Sequence, residues 1–201
     1  MRTSRCLVLS LAVSGLLFSF AGADVQAESP VPAAPADKPA APTAAAPTAA
    51  EPQPTADEIA FMELVNQERA RRGLGKLEFD TTLMVAARKH SDEMREKKYF
   101  NHHSPTSGIK TPMDRYLREL TSRPTYACVG ENLFYCSIVD VQRGHSAFMN
   151  SPTHRENVLF ARFEKIGVGV VKNERGEFWV TQMFLASTDP LLASRKMASK
   201  K

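Results

Sequence analysis

At 201 residues with a formal net charge of +4, the chain has room for one domain of about 100–150 residues plus further segments. Taking away the net +1 of Arg2, Arg5 and Asp24 with an N-terminal leader leaves +3, and Arg195, Lys196, Lys200 and Lys201 at the far end carry most of what remains. No clustered basic face is left to meet a phosphate backbone, which excludes nucleic acid as an expected partner.

Residues 1–27 read as a secretory signal peptide: Arg2 and Arg5 precede an uncharged apolar run from Leu7 to Phe20 that is too short to span a bilayer well. Two small-residue cleavage patterns follow, Ala21-Gly22-Ala23 and Val25-Gln26-Ala27, the second preferred because it lies after Asp24 and clear of the apolar core. Cys6 precedes the run, so it is expected to leave with the leader and implies no lipid anchor. The mature chain is then secreted or periplasmic, with no transmembrane segment.

Residues 28–54 hold eight of the thirteen prolines, ten alanines and no aromatic residue. Such a stretch cannot bury a core; it forms either a semi-stiff spacer or an inert disordered leader.

The folded domain is expected over 55–187. Thr55-Ala-Asp-Glu58 has the pattern of a capping box, and the apolar spacing after it predicts a helix ending near Gly73. A second helix is predicted from about Asp80 to Lys97, with His90 on its apolar stripe; a third over Pro112–Leu120; a fourth over Ile138–Met149; and a fifth starting at Pro152 with Ser151 as its cap. The period then changes to two. Lys165–Val171 and Glu177–Leu185 read as strands joined by a turn at Asn173-Glu-Arg-Gly176, with an earlier strand near Tyr126–Val129. Helices around an antiparallel sheet make an α+β layered fold. Residues 188–201 form a basic tail, a solvated end that could also touch anionic envelope polymer.

Two cysteines stay in the mature chain, Cys128 and Cys136, and an even pair in an exported protein favours a disulfide over two buried thiols. Between them lies Glu131, in Gly130-Glu131-Asn132, read here as a loop that the disulfide would stiffen. With His102 and His154 it forms the candidate site. His154 lies in the first turn of a proline-started helix, whose positive end favours a neutral ring able to bind metal or take a proton. Two neutral imidazoles with a nearby carboxylate suit a zinc-like ion with open positions.

The motifs Phe100-Asn-His102-His-Ser-Pro105, Gly130-Glu131-Asn132-Leu133, Ser151-Pro-Thr-His154-Arg-Glu-Asn157, Ile166-Gly-Val-Gly169 and Phe178-Trp179-Val-Thr-Gln182-Met-Phe184 occur in the order seen in the CAP superfamily of cysteine-rich secretory, venom antigen and pathogenesis-related proteins, which the chain resembles over about 130 residues. The resemblance implies a three-layered α-β-α sandwich around a central antiparallel sheet, with a cleft where two histidines and one or two glutamates meet, sometimes around a divalent metal such as zinc. His102, Glu131 and His154 fall on the matching positions, His103 being the fallback for His102. A second family glutamate has no counterpart in the segment His145-Ser-Ala-Phe148-Met-Asn150.

Three functions follow as expectations. The leading one is a secreted binding module whose cleft holds a small or lipid-like ligand, the ligand class being implied by the resemblance, with metal as an optional element. The second is a metal-assisted hydrolase in which Glu131 is catalytic and activates water at a metal on His102 and His154. The third is an interaction module presented by its spacer to a cell-envelope component or host partner.

Overall fold

The structure is a computed structural model that describes residues 6–17 and 52–188. The cleavage patterns, nearly all of the proline-rich stretch and the basic tail lie outside the described residues.

Local chemistry starts each helix where the sequence places it. α1 (Ala56–Ala70) opens on the expected capping box, in which the Thr55 N–H donates to Glu58 Oε2 at 2.7 Å. Glu58 also accepts from Arg88 Nε at 2.7 Å and from the Val170 N–H at 3.1 Å, so one residue caps α1 and ties it to two other elements. α2 (Thr81–Lys97) is capped by Asp80, whose side chain accepts from Leu83 N. α3 (Pro112–Arg118) has its own capping box from Thr111 and Asp114, with proline at its start. α4 (Val141–Asn150) begins after Asp140, later than the Ile138 start predicted, because Asp140 accepts from Arg143 N and fixes the cap there. α5 (Pro152–Leu159) starts at the predicted proline, but Ser151 makes no side-chain cap bond.

Among the described residues five strands form one sheet in the order β1-β3-β5-β4-β2. β3 (Tyr126–Cys136), β4 (Lys165–Lys172) and β5 (Phe178–Thr188) pair antiparallel, and the hairpin joining β4 to β5 turns through Gly176 at φ 79°. β2 (Glu78–Phe79) adds a short parallel pairing to β4 that the sequence reading did not foresee. β1 (Cys6–Leu17) is the apolar run read as the signal, and here it pairs antiparallel along β3.

Strand alternation sorts the core into two layers. Cys128, Phe134 and Cys136 of β3 and Phe178, Val180 and Phe184 of β5 pack with Phe61 of α1, Phe148 of α4 and Val158 of α5. Ala127 and Val129 of β3 and Met183 and Leu185 of β5 pack with Leu83, Ala86 and Ala87 of α2 and Tyr116 of α3. The result is the expected α+β three-layered α-β-α sandwich. Arg69, 1 % exposed, anchors α5 to α1: its guanidinium donates to the carbonyls of Gly75, Val158, Phe160 and Phe163.

The expected disulfide between Cys128 and Cys136 is not formed: Cys136 is disulfide-bonded, but Cys128 is a buried free thiol and not its partner. Both cysteines lie on β3 eight residues apart, which separates them by about 26 Å at roughly 3.3 Å per residue, whereas a bridge needs Cα atoms within about 7 Å.

The Ile166-Gly-Val-Gly169 motif has a steric origin. A Cβ at Gly167 would lie 2.2 Å from Met84 N, and one at Gly169 would lie 2.1 Å from Arg88 N, so α2 packs its backbone directly on β4. Because main chain cannot swing aside, Gly167→Ala should lower stability by about 3 kcal/mol, read as a fall in urea midpoint at unchanged slope; a loss under about 0.5 kcal/mol, typical of an uncrowded surface change, would contradict this packing.

Candidate functional site

Glu131 lies in the middle of β3, not in a loop, and is fully buried. Its Oε1 accepts from His102 Nδ1 at 2.7 Å and its Oε2 from Arg115 Nη2 at 2.6 Å. Burial works to raise this carboxyl, but the Arg115 charge and the His102 hydrogen bond outweigh it and hold the pKa at about 2. Arg115, from α3 and 3 % exposed, also donates to the carbonyls of His102, Ile109 and Lys110. One guanidinium thus neutralises the carboxylate and pins the loop that carries its histidine partner.

That loop has a second anchor at Glu93 of α2, which accepts from Tyr99 Oη at 2.8 Å and Ser104 Oγ at 2.9 Å. Despite its own partial burial, these bonds and Lys97 keep Glu93 ionised, with a pKa near 2. Ser104 of the His-His-Ser-Pro motif is therefore a loop anchor. His102 is 3 % exposed whereas His103 is exposed, which favours the first of the two histidines.

His90, on the apolar stripe of α2, is 1 % exposed, and its Nε2–H donates to the Asn101 carbonyl at 3.1 Å. It also approaches Glu131 Oε1 to 3.9 Å. Burial lowers its pKa to about 4 against the pull of Glu131, so the ring is neutral at pH 7.

Glu131 shares the α2/α3 side of the sheet with Val129, while the next residue, Asn132, belongs to the other side. Asn132 Nδ2 donates to the His154 carbonyl at 3.2 Å, and Asn157 Nδ2 donates to the Glu131 carbonyl and to Asn132 Oδ1. Both asparagines bridge β3 to α5. His154, 4 % exposed, sets its ring 5.6 Å from that of Phe148, and its Nδ1 lies 2.6 Å from Ser151 Oγ. The Ser151 hydroxyl, predicted as a helix cap, meets the histidine instead.

The predicted trio is thus joined in two parts: His102 bonds Glu131 directly, whereas His154 is tied to the neighbouring Asn132 through its main chain. Among the described residues no group of three or more His, Cys, Asp or Glu side chains is placed to hold a metal ion. Each Glu131 oxygen already accepts a hydrogen bond, so a ligand role would compete with His102 and Arg115 for its lone pairs. His102 is suited: donation from Nδ1–H to the carboxylate leaves the Nε2 lone pair available, and this buried atom has no hydrogen-bond partner among the described residues. His145 lies beyond this set, its electrostatic neighbours being Glu68 and Arg71 of α1.

Sequence reasoning passed over Arg115. Its position three residues after Pro112 and beside Tyr116, all three buried, was the available signal, since a buried arginine requires an acceptor.

Arg115→Met should cost about 3–5 kcal/mol at pH 7, because it leaves a buried carboxylate without its cation. The folded pKa of Glu131, about 2, lies below its ordinary 4.5, so the stability it contributes is complete above pH 4.5 and lost as pH falls towards 2. The gap between wild type and Arg115→Met, from urea unfolding, should narrow over that range. His90, held at about 4 against an ordinary 6.5 by burial and by the Arg115 charge, adds a loss as pH falls from 6.5 to 4 that is smaller in Arg115→Met and so narrows the gap further. A gap that is constant from pH 7 to pH 2 would contradict the pairing.

Comparison with known proteins places these residues in a family. The sequence matches the family model described as the cysteine-rich secretory protein family, CAP, over residues 62–184. It is 40 % identical over 131 residues to the uncharacterized protein YkwD of Bacillus subtilis, covering 65 % of this chain and 48 % of that protein. It is 32 % identical over 117 residues to the uncharacterized membrane protein YlbC of the same organism, covering 58 % and 32 %. The chain therefore spans about half or less of the curated relatives it matches. Among solved structures, an extracellular SCP-domain protein from Bacillus anthracis is similar at 31 % identity and TM-score 0.54, covering 64 % of this chain and 39 % of that one. An outer surface protein from Borrelia burgdorferi shares the fold at 22 % identity and TM-score 0.55, covering 66 % and 93 %. The match over most of the folded domain makes the chain a member of the CAP, cysteine-rich secretory protein, family.

Proposed function

We propose that this CAP domain is an exported binding module whose working group is the His102 imidazole, set by Glu131 and Arg115. The observation that carries the reading is the buried Nε2 of His102, which has no hydrogen-bond partner among the described residues, on a ring whose other nitrogen is fixed on Glu131. A polar atom held this way is costly unless it meets a ligand.

Export is supported by the basic start and apolar run of residues 1–27 and by likeness to a Bacillus anthracis protein described as extracellular. Among the described residues no helix is long and apolar enough to cross a membrane.

Binding is favoured over hydrolysis by the state of Glu131. A carboxylate held near pKa 2 with both oxygens engaged is a poor acceptor for a proton from water. The ligand class we assign is a small or lipid-like molecule, with a divalent metal such as zinc as an auxiliary. His102 Nε2 would hold the metal, and Glu131 would stand behind His102 as the carboxylate that orients it. Bound there, zinc would supply a Lewis-acidic position for a donor atom of the ligand.

Zinc titration by calorimetry tests the metal part. Wild type should bind, His102→Ala should lose binding, and Glu131→Gln should weaken it by about 10–100-fold while still folding. Equal zinc affinity in wild type and His102→Ala would overturn the assignment.

A further inference from the structure

We propose that the outer edge of β3 is a strand-accepting site: Cys6–Leu17 fills it in the full chain, and after removal of residues 1–27 it takes an extended, uncharged, apolar peptide in antiparallel orientation. The proposal rests on the reading of residues 1–27 as a removable leader.

β3 lies between two strands. On one side β5 pairs with it from Tyr126↔Thr188 to Cys136↔Phe178. On the other, β1 pairs with it from Cys6↔Cys136 to Leu17↔Tyr126, placing Leu11 opposite Glu131 and Ser10 opposite Asn132. The register shifts once, so that Ala12 and Val13 of β1 stand against Gly130 alone. This is a bulge beside the buried carboxylate, the kind of irregularity found next to functional sites. β1 also packs on α5, the helix that bears His154. A strand in this position therefore passes alongside both halves of the candidate site.

Both cleavage patterns lie after Leu17, so cutting at either removes the whole of β1. β3 would then be a long edge strand, buried from Ala127 to Phe134 in the full chain, with a row of backbone donors and acceptors left open. Bare edges of that length template pairing with another chain. Strand addition supplies affinity through the main chain, with side-chain pockets adding selectivity.

The occupant's chemistry follows from β1 and from the site. The segment CLVLSLAVSGLL carries no charge, and the one carboxylate it passes is already balanced by Arg115. A second copy of β3 is disfavoured as occupant. Full antiparallel pairing of Tyr126–Cys136 with itself centres on residue 131 and sets Glu131 opposite its twin, and like charges directly opposed are destabilising.

The test uses the full chain with a protease site inserted after Ala27, held under a reductant throughout because Cys136 at the end of β3 is disulfide-bonded, before and after cutting and removal of the leader fragment. The probe is a fluorescent peptide of residues 7–17 with terminal lysines for solubility. Uncut chain should show protected β3 amides in hydrogen exchange and no probe binding. Cut chain should lose protection along β3, bind the probe saturably and regain protection, with affinity at least tenfold weaker for a Leu11→Asp probe. Cut chain that keeps its thermal transition yet leaves the probe free overturns the proposal, as does a doubling of mass that protects β3 by self-association. Sequencing the N-terminus of exported chain tests the leader separately: a chain still starting at Met1 overturns the processing step, whatever the affinity of the edge.

Discussion

A carboxylate sealed from water in the middle of a strand dictates what must stand around it. Desolvating a charge of this kind costs several kcal/mol unless a counter-charge and hydrogen bonds replace the water. Around Glu131 that replacement comes from two separate elements: Arg115 on α3 and His102 on the loop between α2 and α3. The α2/α3 layer is thereby registered against β3 by charge as well as by apolar packing. The family's histidine loop is a consequence of this registration, since the same guanidinium that neutralises Glu131 holds the His102 carbonyl.

The opposite layer is positioned by neutral contacts. Asn132 and Asn157 bridge β3 to α5, Arg69 ties α5 to α1 through carbonyls, and Phe148 packs beside His154. One dipeptide, Glu131-Asn132, therefore addresses both faces of the sheet through strand alternation, the charged residue to one layer and the amide to the other. This division explains why the two family histidines sit in different surroundings, one on a carboxylate and one on a hydroxyl, and why they are unequal candidates for holding a ligand.

Much of the fold was legible in the sequence because its signals are local. The Thr55/Glu58 capping box, Asp80 before α2, the proline starts of α3 and α5 and the Asn173–Gly176 turn each act within a few residues. The two glycines of β4 were visible as a motif, but their reason, contact with the α2 backbone, is tertiary. Longer-range features escaped. Reading β3 as ending at Val129 put Glu131 in a loop and made a Cys128–Cys136 bridge look feasible; continuation of the strand to Cys136 removed both. Arg115 was passed over because a lone arginine in a helix is ordinarily solvated, and only the fold shows that it meets Glu131. The apolar run of residues 7–17 carried the composition of a leader, which does not distinguish a segment awaiting removal from one that can pair as a strand.

The central claim is that Glu131, balanced by Arg115, fixes His102 with its proton on Nδ1 and its lone pair on Nε2. Nitrogen-15 NMR of the histidine rings at pH 7 tests it directly. The account predicts a pyrrole-type Nδ1 and a pyridine-type Nε2 for His102 in wild type, and loss of that single tautomer in Glu131→Gln. A His102 ring carrying its proton on Nε2 in wild type, or a tautomer unchanged by Glu131→Gln, would contradict it.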